Sequence, residues 1–371
     1  MTNENLQAQI REKLDLLTKT FTEVLYAEDT TFMENMKGLA PPDDLKKYMH
    51  WEWPQGVGLY GFWKYYKAHN DETYLSVLKE YYHRQHQIGY PGKNVNTVAP
   101  LLALACYAEA FQDQTFMDIC IEWADWILNS FPRTQEGGLQ HITSDCTNPQ
   151  ELWDDTLYMT VLFLAKMGQI HHRQDYIDEA VYQFLLHAKY LQDPVTGLWY
   201  HGWTFMERHH FAGAFWGRGN CWITLAIPEL LNMEICSPPV RRFLLGILNQ
   251  QAEALEKHQD ESGMWHTLID DPDSYLEASA TAGFGYGLLY AINRGYLDQK
   301  YLSVVQKALH AILDCVNRDG TVSQVSYGTP MGRESKDFYR KIPLQSMPYG
   351  QALAILFLSE AQKRSPAPPK A

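Results

Sequence analysis

Long apolar stretches are missing from this chain of 371 residues. No run approaches the roughly 18 residues that a membrane-crossing helix needs, so we expect no membrane partner. Paired cysteines are missing too. Cys106, Cys120, Cys146, Cys221, Cys236 and Cys315 are scattered without a CxxC, which reads as reduced thiols and not as a disulfide frame. There is no P-loop, GxGxxG or GxSxG, and no HxH or HExxH spacing, so we expect neither cofactor nor metal. Positive charge is scarce: Lys+Arg is 31 against Asp+Glu 44, a formal net charge of −13. Such a field argues against nucleic acid or an anionic lipid surface as partner. The opening MTNENLQAQIREKL is polar and lacks the apolar stretch of a signal segment, so the expected compartment is the cytoplasm.

Aromatic residues are plentiful, with Trp 11, Tyr 23 and Phe 15. Flat rings fill cores and also stack on sugar faces. The strongest pattern is an alternation of two kinds of helix. Stretches beginning near Asn5, Glu72, Thr115, Gln174, Pro239 and Lys300 are amphipathic. In one of them Ile177, Ala180, Val181, Phe184, Leu185 and Ala188 follow the helical i, i+3, i+4 spacing. Between them lie segments that are apolar on every side, starting near Trp53, Asn96, Trp153, Phe215, Glu277 and Gln345. A helix without a polar face must be surrounded. Six of each kind in alternation predict an all-α fold, an (α/α)6 barrel of six helical hairpins, as one domain over residues 1–363 with a disordered tail at 364–371. An open α-solenoid is the alternative arrangement. Four glycine turns punctuate the period, at 136–141, 196–203, 262–268 and 319–326, where glycine supplies a positive φ.

Few residues in the apolar segments can carry chemistry. Asp154 and Asp155 open the third one, in ELWDDTLYM. Neighbouring helical residues point about 100° apart, so both cannot face one cleft equally, and either one suits the positive end of a helix in any case. His141 and His201 follow equivalent glycine turns, as does Trp203. Arg218, in FWGRGNCW between Trp216 and Trp222, must be ion-paired or face a cavity, and its fork would suit a carboxylate.

The stretches WDDTLYM (153–159), GLWYHGW (197–203), FWGRGNCW (215–222), YLEASATAGFGYGLLYAINRGYLD (275–298) and YGTPMG (327–332) resemble the unsaturated rhamnogalacturonyl hydrolases, glycoside hydrolase family 105. The similarity runs from about Trp51 to Glu360 and implies the same barrel. It also implies that Asp155 is the general acid/base and that Trp53, Asn96, His141, Trp153, His201, Trp203, Arg218 and Trp222 bind substrate. That substrate is a small pectin-derived oligosaccharide with a 4,5-unsaturated galacturonyl end. Better-known members often carry an Asp where this chain has Asn96. The implied reaction is hydration of the C4=C5 double bond, and Asp155 must then hold a proton near neutrality although an ordinary Asp has a pKa of about 3.9. Burial among Trp153, Tyr158 and other rings, help from Asp154, or an acidic optimum would each answer that. Alternatives are an unsaturated glucuronyl hydrolase, a sugar 2-epimerase on the same barrel, or a non-catalytic sugar-binding protein.

Overall fold

The computed structural model describes residues 3–28, 34 and 42–362, so the expected tail at 364–371 lies outside the described residues. Six apolar helices form an inner ring: α2 (Trp53–His69), α4 (Pro100–Phe111), α6 (Leu162–His171), α8 (Gly217–Asn232), α10 (Ala278–Asn293) and α12 (Pro348–Gln362). Six amphipathic helices cover it: α1 (Asn3–Val24), α3 (Glu72–Ile88), α5 (Gln114–Asn129), α7 (Gln174–Leu191), α9 (Pro238–His258) and α11 (Leu302–Cys315). Each inner helix packs on the next, α12 packs on both α2 and α1, and the ring is closed. The expected barrel is therefore present. Along the inner helices nearly every residue is buried, as in Ala278–Leu288 and Tyr349–Glu360, which is why those segments carry no polar face.

Backbones of the inner helices approach closely. A Cβ on Gly56 would stand 2.6 Å from the backbone of Ala99 and Pro100, so a larger residue there would push α2 off α4. Three of the hairpins turn by one repeated device. Asn70, Gln112 and His172 each adopt a left-handed conformation (φ 53°, 53° and 52°) and are followed by an extended residue, Asp71, Asp113 or Arg173. The Asp71 and Asp113 carboxylates then cap the next helix at Thr73 and Phe116.

Those tight turns all lie at the C-terminal ends of the inner helices. Connections at the other end are long and hold all six short strands, paired as β1 (Glu151–Trp153) with β2 (Gly202–Thr204), β3 (Trp265–His266) with β4 (Leu276–Glu277), and β5 (Val325–Ser326) with β6 (Leu344–Gln345). The four glycine turns belong to these connections, and Gly137, Gly197, Gly263 and Gly320 all have φ between 76° and 89°. One end of the barrel is thus joined by tight turns, and the other is built of loops able to carry a site. Among the described residues no helix is long and apolar enough to cross a membrane. All six cysteines are free; Cys106, Cys120, Cys221 and Cys315 are buried and Cys146 is exposed.

Candidate active site

The chain enters the third inner helix through strand β1, a two-residue turn and a π-helical turn at Leu157–Val161. Asp154 and Asp155 therefore precede the helix, where the sequence pattern put them inside its first turn. Strand pairing is what displaces them: β1 is held by β2 through Trp153↔Gly202 and by the Asp154 N–H donating to the His201 carbonyl. The Asp155 carbonyl accepts from Tyr158 and Met159 and so starts the helix. A π-turn is a rare element that concentrates at functional positions.

That turn separates the two carboxylates. From Glu151 to Ala165 every residue is buried except Asp155, whose side chain keeps 18 % of its surface. Asp154 is fully buried, and no side-chain donor reaches its carboxylate, which only the Asp154 and Asp155 backbone N–H groups approach. Its carboxylate lies over Gly219, and a Cβ there would run into it. Burial raises Asp154 well above the ordinary carboxylate range, and the neighbouring Asp155 charge raises it further. Asp154 is thus an acid inside the wall whose surroundings favour its neutral form. Burial likewise pushes Asp155 up to about 7, against backbone N–H groups and the Arg218 charge, which act to lower it. Of the three answers to the protonation of Asp155, desolvation is the one with the largest effect here.

His141 stacks flat on Trp153, centroids 4.1 Å apart. Its Nδ1 lies 2.8 Å from Thr156 Oγ1 and 3.3 Å from Asp155 Oδ1. Burial pushes it down to about 3, with the nearby His187 adding to the effect, so it is neutral and makes no ion pair with Asp155. A proton on Nδ1 would point at both oxygens. His201 stands edge-on to the same Trp153, 5.3 Å away, with Nδ1 2.6 Å from the Tyr339 hydroxyl. That hydroxyl accepts from the Gly332 N–H, and the imidazole is a better acceptor for its proton than the Met331 thioether at 3.9 Å. The His201 proton then sits on Nε2, a buried atom without a partner. Burial also keeps this ring neutral.

The remaining expected residues divide. Trp53, half-buried at the start of α2, stacks on Tyr349 at 4.7 Å and meets Trp222 edge-on at 5.9 Å. Trp222 is only 1 % exposed and packs on Tyr158, so it backs Trp53 from the core. Trp203 pairs with Leu152 on β2 and joins a satellite cluster with Tyr190 and Phe205, on the face opposite Trp153 because successive strand residues alternate. Asn96 is the one half-buried residue between Asn94 and Pro100. Its short helix, Val95–Val98, packs on the π-turn, and Thr160 Oγ1 donates to the Val95 carbonyl.

Arg218 is 2 % exposed. Its two terminal nitrogens donate to Ser326 (Oγ at 2.6 Å), Ser279, the Tyr327 carbonyl and Thr329, and Glu277 lies 3.7 Å away. The guanidinium is sandwiched between the Trp216 and Tyr349 rings, 4.7 Å from each. Those bonds tie the 325–329 segment to the inner wall, and fork capture of a substrate carboxylate would have to break them. Sequence reasoning missed Glu52, Glu277, Arg333, Tyr339 and Tyr349. Glu52 and Glu277 could have been found by the logic applied to Arg218, a charge at the start of an apolar helix. Tyr339 and Arg333 come from a long connection, in which the Arg333 pair with Glu151 and the Tyr339 bond to His201 leave no periodic trace.

An (α/α)6 barrel that leaves one desolvated carboxyl open beside a neutral histidine, with a second neutral histidine on the same Trp153 ring, has the features of an acid–base site for a polar ligand. Residues 26–365 match the family model described as Glycosyl Hydrolase Family 88, and the chain belongs to that family. The chain is 38 % identical over 316 residues to the unsaturated rhamnogalacturonyl hydrolase YesR of Bacillus subtilis, covering 84 % of this chain and 90 % of that protein. It is also similar to two crystal structures described as possible members of the GH105 family. The one from Klebsiella pneumoniae has a TM-score of 0.88 at 43 % identity over 98 % of this chain and 94 % of that one. The one from Salmonella enterica has a TM-score of 0.87 at 44 % identity with the same coverage. The relative and both structures agree with the unsaturated rhamnogalacturonyl hydrolase resemblance seen in the motifs.

Proposed function

We propose that the protein removes a 4,5-unsaturated galacturonate from the non-reducing end of small rhamnogalacturonan oligosaccharides, by adding water across the C4=C5 bond. The observation that carries this reading is Asp155: one open carboxyl in a buried stretch, pushed to about 7 by that burial. Such a group gives and takes a proton at neutral pH. In the proposed step Asp155 donates its proton to C4, water adds at C5, and the carboxylate takes the proton which that water releases. The C5 hemiketal then opens, the glycosidic bond breaks, and the leaving sugar departs with its oxygen. His141, through Nδ1, orients the carboxyl, and His201 Nε2–H offers a donor to the uronate. Trp53 with Tyr349 forms the aromatic wall, and Asn96 takes a sugar hydroxyl. Arg218 serves by fixing the 325–329 wall. The relative's activity on unsaturated rhamnogalacturonyl substrates supports the substrate class, and pectin breakdown in the cytoplasm is the setting we infer.

Incubation with unsaturated galacturonyl-rhamnose should remove the enol-ether absorbance. In ¹⁸O-water an early quench should place the label on C5 of the uronate, and in deuterated water one deuterium should enter at C4. Label at C1 with the double bond intact would mean ordinary attack at the anomeric carbon, and this mechanism would be wrong. Faster turnover of an unsaturated glucuronyl disaccharide would move the substrate assignment while leaving the chemistry.

A further inference from the structure

Glu52 lies immediately before Trp53 at the site end of α2. It is 8 % exposed. Its Oε1 accepts from Ser144 Oγ at 2.6 Å, and Ser144 in turn accepts from Asn94 Nδ2 at 3.0 Å. The Trp53 N–H and the Asn96 side chain also lie against the Glu52 carboxylate. Asn94 Oδ1 holds the backbone N–H groups of Asn96 and Thr97. The same 141–144 segment carries His141, which faces Asp155, and the Ile142 carbonyl, which accepts from Val95. Glu52 is therefore tied to both strips of chain that border the cleft beside Asp155.

A glutamine at this position would satisfy Ser144 without the cost of burying a carboxylate. Asn96 is the half-buried residue of its segment, so it is the part of that strip open to a ligand. We propose that Glu52 is a positioning residue of the active site: by holding Ser144, and through it Asn94, it fixes the strip that presents Asn96 to a hydroxyl of the bound sugar. Burial, with the Asp145 charge on the same loop adding to it, pushes Glu52 up to about 7 against the hydrogen bonds it accepts. Its hold on Ser144 accordingly strengthens as pH rises through neutrality, because the carboxylate is the better acceptor. This inference rests on the function proposed above.

The test compares wild type, Glu52→Gln, Asn96→Ala and the double variant with unsaturated galacturonyl-rhamnose, by steady-state kinetics from about pH 5 to about pH 8 and by calorimetric binding. Glu52→Gln and Asn96→Ala should each raise KM roughly tenfold, the scale of one hydrogen bond in a buried site. The double variant should be no worse than Asn96→Ala alone. Wild-type KM should fall as pH rises through about 7, and the Glu52→Gln KM should not. Losses that add, or an unchanged KM in Glu52→Gln, overturn the inference. If Glu52→Gln does not fold, Ser144→Ala removes only the link between the loop and the carboxylate; a KM shifted in the same direction supports the inference and an unchanged one overturns it. Wild type that binds the disaccharide without hydrolysing it sinks the proposed function, yet Kd still reads the Glu52 comparison. Absence of binding by wild type overturns both.

Discussion

One mouth of the barrel pairs its buried acids with cations, and the other leaves three of its own without one. At the C-terminal ends of the inner helices Glu229 is 3 % exposed and fully served: Lys64 Nζ lies 2.8 Å away, Tyr60 donates to it at 3.0 Å, and Tyr286 donates through a short bond. Burial would raise its pKa, but Lys64 and Tyr286 outweigh burial and hold it below the ordinary glutamate range. Arg294 pairs with the buried Glu360 beside it. Even the cavity of about 270 Å³ there is lined by Lys64, Glu229 and Arg294 from these pairs. At the other mouth Asp154, Asp155 and Glu52 have no cation close enough to offset their burial, and all three are raised. A buried acid with a partner is fold, while a buried acid without one is an energetic burden that chemistry can use.

The largest expected effect tests the burdened mouth. Asp155→Asn should lower kcat by about 10²–10⁴-fold, the usual weight of an acid–base group, with the melting temperature at or above that of wild type. Asp154→Asn should be far milder, because that carboxyl lies in the wall and not in the cleft. Equal losses in the two variants would break the division of labour between them. Wild-type kcat/KM should fall as pH rises through about 7, since Asp155 must carry its proton into the reaction.

How much of this was legible in sequence follows from the same division. Helix identity was readable because each inner helix had to be apolar on every side and each outer helix on one, and both patterns repeat over many residues. The positive φ at Gly137, Gly197, Gly263 and Gly320 was readable because glycine is cheapest there. Motif similarity points to Asp155, but periodicity does not distinguish it from Asp154. What separates an open carboxyl from a buried one is the β1–β2 pairing, between residues about 50 positions apart, and the π-turn after it. Trp203 and Trp222 looked alike in sequence to Trp53. Their strand face and core depth are tertiary facts. Arg218 reads in sequence as a carboxylate fork, with a structural charge as the other option, and the Ser326, Thr329 and Glu277 contacts that bear on that choice are tertiary.

A second effect, on stability alone, tests the paired mouth. Lys64→Met removes the cation from Glu229 and should cost about 3–5 kcal/mol, the range for stranding a buried charge. The folded fraction should keep wild-type kcat, because Lys64 lies at the far end of α2 from Trp53. Replacing both partners with methionine should recover most of the loss, since no charge is then left unpaired. A Lys64→Met variant that folds as well as wild type but turns over slowly would merge the two mouths functionally.

The smallest effect is the most discriminating, because it differs in sign between the mouths. Asp154 binds its proton more tightly folded than unfolded, so its contribution to stability is present below its ordinary value of 3.8 and is lost as pH rises through the raised folded value. Glu229 is depressed, so its contribution is present above its ordinary value of 4.5 and lost as pH falls through the lowered one. Asp154→Asn should therefore leave stability near wild type at about pH 4 and raise it by about 1 kcal/mol or more near pH 8. Glu229→Gln should do the reverse, costing most near pH 8 and least in acid. In wild type the Asp154 slope is masked, because His141 and His187, pushed down to about 3 and about 4, lose stability as pH falls below 6.5 and so tilt the curve the other way. Melting curves of the two variants against wild type at both pH values read these differences directly. Parallel shifts in both variants would show that the two buried acids sit in equivalent environments, and the contrast between catalytic and structural ends would then fail on its own terms.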